Sequence, residues 1–218
     1  YGYYKDKDKL FSIWDHCTID IPTLVPEKTL NYYRKTVQYG LIEQDYEKVT
    51  SEIDKAMKYL ADGKYSHEPI IFKTFFSMAE VMAKLQHEPE TNYFYNARVI
   101  DDILKMQQLL DNHKLGDILL LKGVNAYYAK KKDDVYYSFK EAYKHYSAGE
   151  TSRYWIKKDL LEENIQYTFT ELGIYKTGYD MSFLPAECRQ PLTIFENDQF
   201  IASGIQRTGD LHLNLPLI

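Results

Sequence analysis

The chain has 218 residues, 44% of them hydrophobic and 27% charged, with 27 basic against 32 acidic side chains and a formal net charge of −5. That length suits one globular domain or a stack of repeats sharing a core, and the acidic balance excludes a broadly basic nucleic-acid footprint. No apolar run approaches the length of a membrane span, and with only Cys17 and Cys188 the chain has neither a disulfide scaffold nor a cysteine-rich zinc site. Tyrosine is the anomaly, with 21 residues against 10 glycines and 7 prolines.

The first segment, Lys5 to His16, is expected to form a short helix with Leu10, Phe11 and Trp14 inward. From Pro26 the pattern is helical almost without interruption. A first helix carries Leu30, Tyr33, Val37 and Leu41 at three- and four-residue steps. After a break near Glu43–Tyr46, a second carries Val49, Ile53, Ala56 and Leu60, and Gly63 is placed to end it. A third runs from Pro69 to Gln86, and Pro89 separates it from a fourth, expected from Thr91 to Asn112. A fifth is expected from Gly116 to Lys130, a sixth from Asp133 to Ser147 and a seventh from Ser152 to Leu172. Helices of this length joined by short turns pack as antiparallel neighbours.

The chain also resembles itself. Laying Glu43–Gly63 over Ala129–Gly149 puts Val49 on Val135, Ile53 on Phe139, Ala56 on Ala142 and Gly63 on Gly149. The preceding helices follow, with Leu30 on Gly116 and Val37 on Gly123. This layout resembles the tetratricopeptide-type helical hairpin, through Gly123, Ala126 and Tyr127 and then Val135, Phe139 and Ala142. The consensus Trp, the Leu-Gly pair and the terminal Pro of that hairpin are absent. The fold expected is all-α: antiparallel helical hairpins in a tetratricopeptide-like stack over residues 1–177. An irregular, β-like cap would follow over 178–218. There Leu192–Glu196 and Gln199–Ser203 flank Asn197-Asp198, and Leu211, Leu213, Leu215 and Leu217 alternate.

No motif for chemistry emerges. Six histidines share no metal-ligand step, and His16-Cys17 is the one adjacent soft pair. A Cys17–Cys188 bridge is open in principle. Asp101-Asp102 and Glu162-Glu163 point about 100° apart on a helix and read as solvated surface. Nucleophile-elbow and phosphate-loop signatures are absent. Lys130-Lys131-Lys132, followed at once by Asp133-Asp134, reads as a hairpin turn. No cofactor and no metal are expected, and cytoplasm is the default compartment for a chain with so few cysteines. Because the chain opens at Tyr1 without a Met, a preceding piece is expected.

The tyrosines fall in doublets, including Tyr32-Tyr33, Tyr127-Tyr128 and Tyr136-Tyr137. Neighbours on a helix cannot share one core, so one ring of each doublet should reach a second surface. Such rings either fill grooves between hairpins or face a partner. Tyr127, Tyr128, Tyr136, Tyr137 and Tyr143, with Asp133 and Asp134, are the interface candidates.

From Phe139 the run Phe-Lys-Glu-Ala-Tyr-Lys-His-Tyr leads to a helix, then Glu171-Leu-Gly-Ile and Ser182-Phe-Leu-Pro185. That order resembles the all-helical bacterial immunity proteins that neutralise polymorphic toxins, in particular the family called immunity protein forty-nine. The resemblance covers about Phe139 to Pro185 and implies no catalytic residues. It implies a non-catalytic protein-binding module, an immunity-type inhibitor that occludes a toxin, with a basic toxin domain as partner. The alternative is a tetratricopeptide-like regulator or adaptor that binds a peptide in its concave groove. A third class, a hydrolase, would call on Glu80, Glu141 or Glu163.

Overall fold

The computed structural model describes residues 26–62, 69–149 and 152–192. Seven α-helices occupy most of them: α1 (Pro26–Glu43), α2 (Tyr46–Ala61), α3 (Pro69–His87), α4 (Tyr93–Leu104), α5 (Asn112–Tyr128), α6 (Lys132–Ser147) and α7 (Ser152–Glu171). Successive helices pack on one another. Each odd-numbered helix also packs on the next odd one, α1 on α3, α3 on α5 and α5 on α7. The result is a two-layer, all-α stack of helical hairpins.

Periodicity explains which faces are buried. On α2, Val49, Ile53, Ala56 and Leu60 recur at four-, three- and four-residue steps, and all four are buried. The central helices α3 and α5 are covered on several sides, so their apolar residues are less restricted to one stripe. Phe72, Phe75, Phe76, Met78, Val81, Met82 and Leu85 of α3 are all buried.

The internal repeat is written in the backbone. Among the described residues, Gln44 and Lys130 are the two non-glycine residues with positive φ, 58° and 55°. Each ends its helix in the left-handed conformation, and the following amide reaches back five residues: Asp45 N to Gly40 O and Lys131 N to Ala126 O, both 2.9 Å. The next residues match again, Asp45 at φ −86°, ψ 84° and Lys131 at φ −88°, ψ 83°. The α1–α2 and α5–α6 hairpins therefore turn the same way at the register read from sequence.

Within the α5–α6 hairpin the contacts run antiparallel. A Cβ placed on Gly116 would fall 2.3 Å from the ring of Tyr146, and one on Gly123 would fall 2.1 Å from the ring of Phe139. Gly116 is thus a close-approach residue inside α5 and does not open the helix. The expected fourth and fifth helices need this correction. α4 stops at Leu104, a 3-10 turn spans Gln107–Leu109, and Leu110 is extended at φ −114°, ψ 142°. Asp111 then caps α5, its carboxylate accepting from Lys114 N at 2.7 Å.

After α7, Gly173 adopts φ 67° and the chain folds back in 3-10 turns at Ile174–Lys176 and Ala186–Cys188. Ile174 and Leu184 are buried, and Leu192 N donates to Thr170 Oγ1 of α7 at 2.9 Å. Phe183 lies edge-on to Tyr136 and Tyr143 of α6. Residues 173–192 thus lie against the last hairpin. Cys188 is a free, buried thiol whose carbonyl accepts from Tyr175 Oη at 2.7 Å. The N-terminal helix, Gly63, His16-Cys17 and the β-like hairpin and leucine-alternating tail lie outside the described residues.

Candidate functional site

The antiparallel stack brings the first turns of α4 and α6 to the same end as the last turns of α5 and α7. Tyr93, in the first turn of α4, donates through Oη to Asp134 Oδ2 of α6 at 3.2 Å. Its carbonyl accepts from Asn125 Nδ2 of α5 at 3.1 Å, and Asn125 Oδ1 accepts from buried Asn96 Nδ2 at 3.2 Å. These bonds hold α4, α5 and α6 together at their ends. Asp133 and Asp134 sit in the first turn of α6, where carboxylates favour the helix dipole. Tyr179 donates to Asp133 and stacks on Tyr136, with centroids 4.2 Å apart and planes 12° apart.

Two large rings in contact with members of this hydrogen-bonded seam face solvent. Phe94 is 82% exposed and Tyr137 is 59% exposed. Phe94 touches Tyr93 edge-on at 5.1 Å, and Tyr137 meets Tyr136 and Tyr179 edge-on at 5.1 and 6.2 Å. Both exposed rings are therefore braced by neighbours that are themselves fixed.

The candidates from the sequence separate by their surroundings. Tyr136 is only 2% exposed; its hydroxyl donates to the Asp180 carbonyl at 2.7 Å and accepts from Lys140 Nζ at 3.2 Å. Tyr143 is buried and donates to Glu162 Oε1 at 2.7 Å, and burial, then that bond, pushes its pKa up. Tyr127 is half-buried and donates to Glu171 of α7, and Tyr128 lies edge-on to it at 5.3 Å. Tyr137, Asp133 and Asp134 are exposed. The structure thus joins Tyr137, Asp133 and Asp134 at one edge and uses Tyr136 and Tyr143 to pack α6 under the C-terminal segment. Phe94, Tyr93 and Tyr179 complete the edge. The consecutive aromatics Tyr93-Phe94-Tyr95 held a signal for Phe94, since three successive rings cannot all face one core.

The carboxylates weighed for hydrolysis do not converge. Glu80 accepts from Tyr95 Oη at 2.5 Å and lies 3.6 Å from Lys84 Nζ. Glu141 is exposed beside Lys144 and Glu163 is exposed on α7. One acid–histidine cluster is buried: Tyr146 Oη donates to Asp117 Oδ1 at 2.7 Å, and His113 Nδ1 lies 3.5 Å from Asp117 Oδ2. All three side chains are enclosed between α5 and α6. Burial, then the Asp117 charge, holds the Tyr146 hydroxyl far above its ordinary pKa. No group of three or more His, Cys, Asp or Glu that could hold a metal occurs among the described residues. No described helix is long and apolar enough to cross a membrane.

Comparison with family models, curated proteins and solved structures finds no match to this chain.

Proposed function

We propose that this chain is a protein-binding module without chemistry of its own, and that it acts as an immunity-type inhibitor by occluding a toxin. The observation that carries the binding reading is the α4–α6 edge. Phe94 and Tyr137 stand exposed against Tyr93 and Tyr179, whose hydroxyls bond Asp134 and Asp133. Isolated exposed apolar residues are ordinary on a protein surface. Two rings braced by fixed neighbours are less so, because a preorganised aromatic loses little side-chain entropy when a partner covers it. The acidic net charge suits a basic partner and would speed association at low salt. The toxin assignment comes from the resemblance over Phe139–Pro185.

Co-expression tests both parts. Cells producing a toxin encoded beside this reading frame should survive when the chain is co-expressed, and the two proteins should co-purify. Survival without complex formation, or complex formation without rescue, would remove the immunity assignment. Capture of a short peptide in place of a folded domain would favour the adaptor reading.

A further inference from the structure

The repeat leaves one position unfilled. At the turn between α1 and α2 a small cleft opens against the end of α3, lined by Gln44, Tyr46, Val49, Ala83, Gln86 and His87. The register that puts Gln44 on Lys130 and Val49 on Val135 puts Ala83 on Phe169 and Gln86 on Leu172. Against the α5–α6 hairpin, Phe169 of α7 is fully buried, 6.0 Å from the ring of Tyr136 and 6.3 Å from that of Phe139. Against the α1–α2 hairpin, α3 has a methyl group in place of that ring and an amide in place of the leucine. A hollow with a polar rim remains.

Its walls define what fits. Tyr46 and His87 stack at 4.3 Å with planes 14° apart, forming a flat aromatic side. Gln44 and Gln86 supply amide groups, with Gln86 Nε2 anchored to the Leu41 carbonyl at 3.2 Å, which leaves its oxygen as the acceptor end. Glu43, Asp45, Glu47 and Glu88, all exposed, adjoin the lining residues in sequence. The two nearby lysines are engaged elsewhere: Lys48 lies over the Tyr39 ring and Lys84 over the Tyr95 ring beside Glu80. A planar cation that stacks on an aromatic face and donates to amide oxygens matches this lining better than a compact ammonium does.

We infer that the cleft between Tyr46, His87, Gln44 and Gln86 receives an arginine side chain from the protein partner. The source of the arginine rests on the protein-binding reading; the guanidinium chemistry of the cleft does not. Titrating the isotope-labelled full chain with Nα-acetyl-arginine methylamide should move the amide resonances of Gln44, Tyr46 and Gln86. The neutral citrulline analogue should leave them in place, and the lysine analogue should bind more weakly. Ala83→Leu, which fills the hollow, and Tyr46→Ala, which removes the stacking wall at a half-exposed position, should each weaken the arginine response about tenfold, or 1.4 kcal/mol. Responses scattered over the surface, or equal for citrulline, would overturn the site. Capture of a protein partner unaffected by Tyr46→Ala would overturn the partner as the source of the arginine while leaving the binding module standing. A localised arginine response with no protein partner found would leave the cleft standing without the binding module.

Discussion

Gly123 of α5 faces the Cδ1–Cε1 edge of the Phe139 ring of α6, so close that a Cβ on residue 123 would fall 2.1 Å from Phe139 Cε1. At the equivalent positions of the first hairpin stand Val37 and Ile53, both buried. The pairs exchange volume: a glycine opposite a large ring in one hairpin, two mid-sized aliphatic residues in the other. Gly116 opposite Tyr146 and Leu30 with Leu60 repeat the exchange one helical segment away. Gly123→Val alone should cost about 3 kcal/mol through overpacking. Phe139→Ile alone should cost about 2 kcal/mol through the cavity it leaves. The double variant should recover at least about 1 kcal/mol of the combined loss, read as coupling in a urea-unfolding double-mutant cycle. Strict additivity would mean that the two hairpins do not share one packing scheme.

The hairpin turns offer a gain. Gln44 and Lys130 hold positive φ without being glycine, a conformation that costs a side-chain-bearing residue about 1–2 kcal/mol. Lys130→Gly should therefore stabilise the fold by about 0.5–1 kcal/mol, the greater backbone freedom of glycine in the unfolded chain offsetting part of the relief. Lys130→Ala keeps the Cβ and should show no such gain. Gln44→Gly belongs to a separate hairpin, so its effect should add to that of Lys130→Gly in thermal unfolding.

How much of this was legible follows from which interactions are local. The stripe Val49, Ile53, Ala56 and Leu60 is a property of one helix, and it is buried as its spacing indicates. The repeat was legible because turn and stripe recur together. The end of α4 was not, because Leu109 and Leu110 continue an apolar pattern past the true helix stop. Leu109 is exposed in a 3-10 turn, and the cap that starts α5 is Asp111. Gly116 resembled a helix boundary because the ring that requires it, Tyr146, belongs to the next helix. The doublet Tyr136-Tyr137 announced one inward and one outward ring. The inward choice depends on Phe169 and Tyr179, both remote in sequence.

Alkaline unfolding should be marked in a chain with so many restrained tyrosines. The hydrogen bond to Glu80, then burial, raises Tyr95 to about 12, and the bond to Asp133 raises Tyr179 to about 12. Burial raises Tyr146 further, as it does Tyr143, Tyr127 and Tyr175. In the unfolded chain these groups ionise near pH 10. Below that pH both states keep the phenolic protons, and the stabilisation is fully present. Above it only the unfolded chain releases them, so stability falls as pH rises from 10 toward 12 and beyond. A buried tyrosine such as Tyr146, still protonated in the fold, contributes about 1.4 kcal/mol per pH unit to that slope. Tyr146→Phe should lower stability at pH 7 by about 1–2 kcal/mol through the lost bond to Asp117. It should also make the loss above pH 10 less steep. Urea midpoints against pH for both proteins check the sign, and an unchanged slope would show that Tyr146 ionises in the fold as it does in water.

The exposed rings separate binding from folding. Phe94 and Tyr137 touch other rings only at their edges and remain mostly in solvent, so alanine at either should change stability by no more than about 0.5 kcal/mol. Tyr136→Phe, one residue away, removes the bond to the Asp180 carbonyl and should cost about 1 kcal/mol without altering the exposed surface. If the α4–α6 edge carries the contact, Phe94→Ala and Tyr137→Ala should each weaken partner capture about tenfold or more, as central aromatic contacts do. Tyr136→Phe should leave capture intact once the folded fraction is matched. Thermal unfolding and surface-immobilised binding on the same preparations distinguish the two effects. Loss of capture by Tyr136→Phe with retention by the alanine variants would move the contact to the C-terminal segment folded over α6.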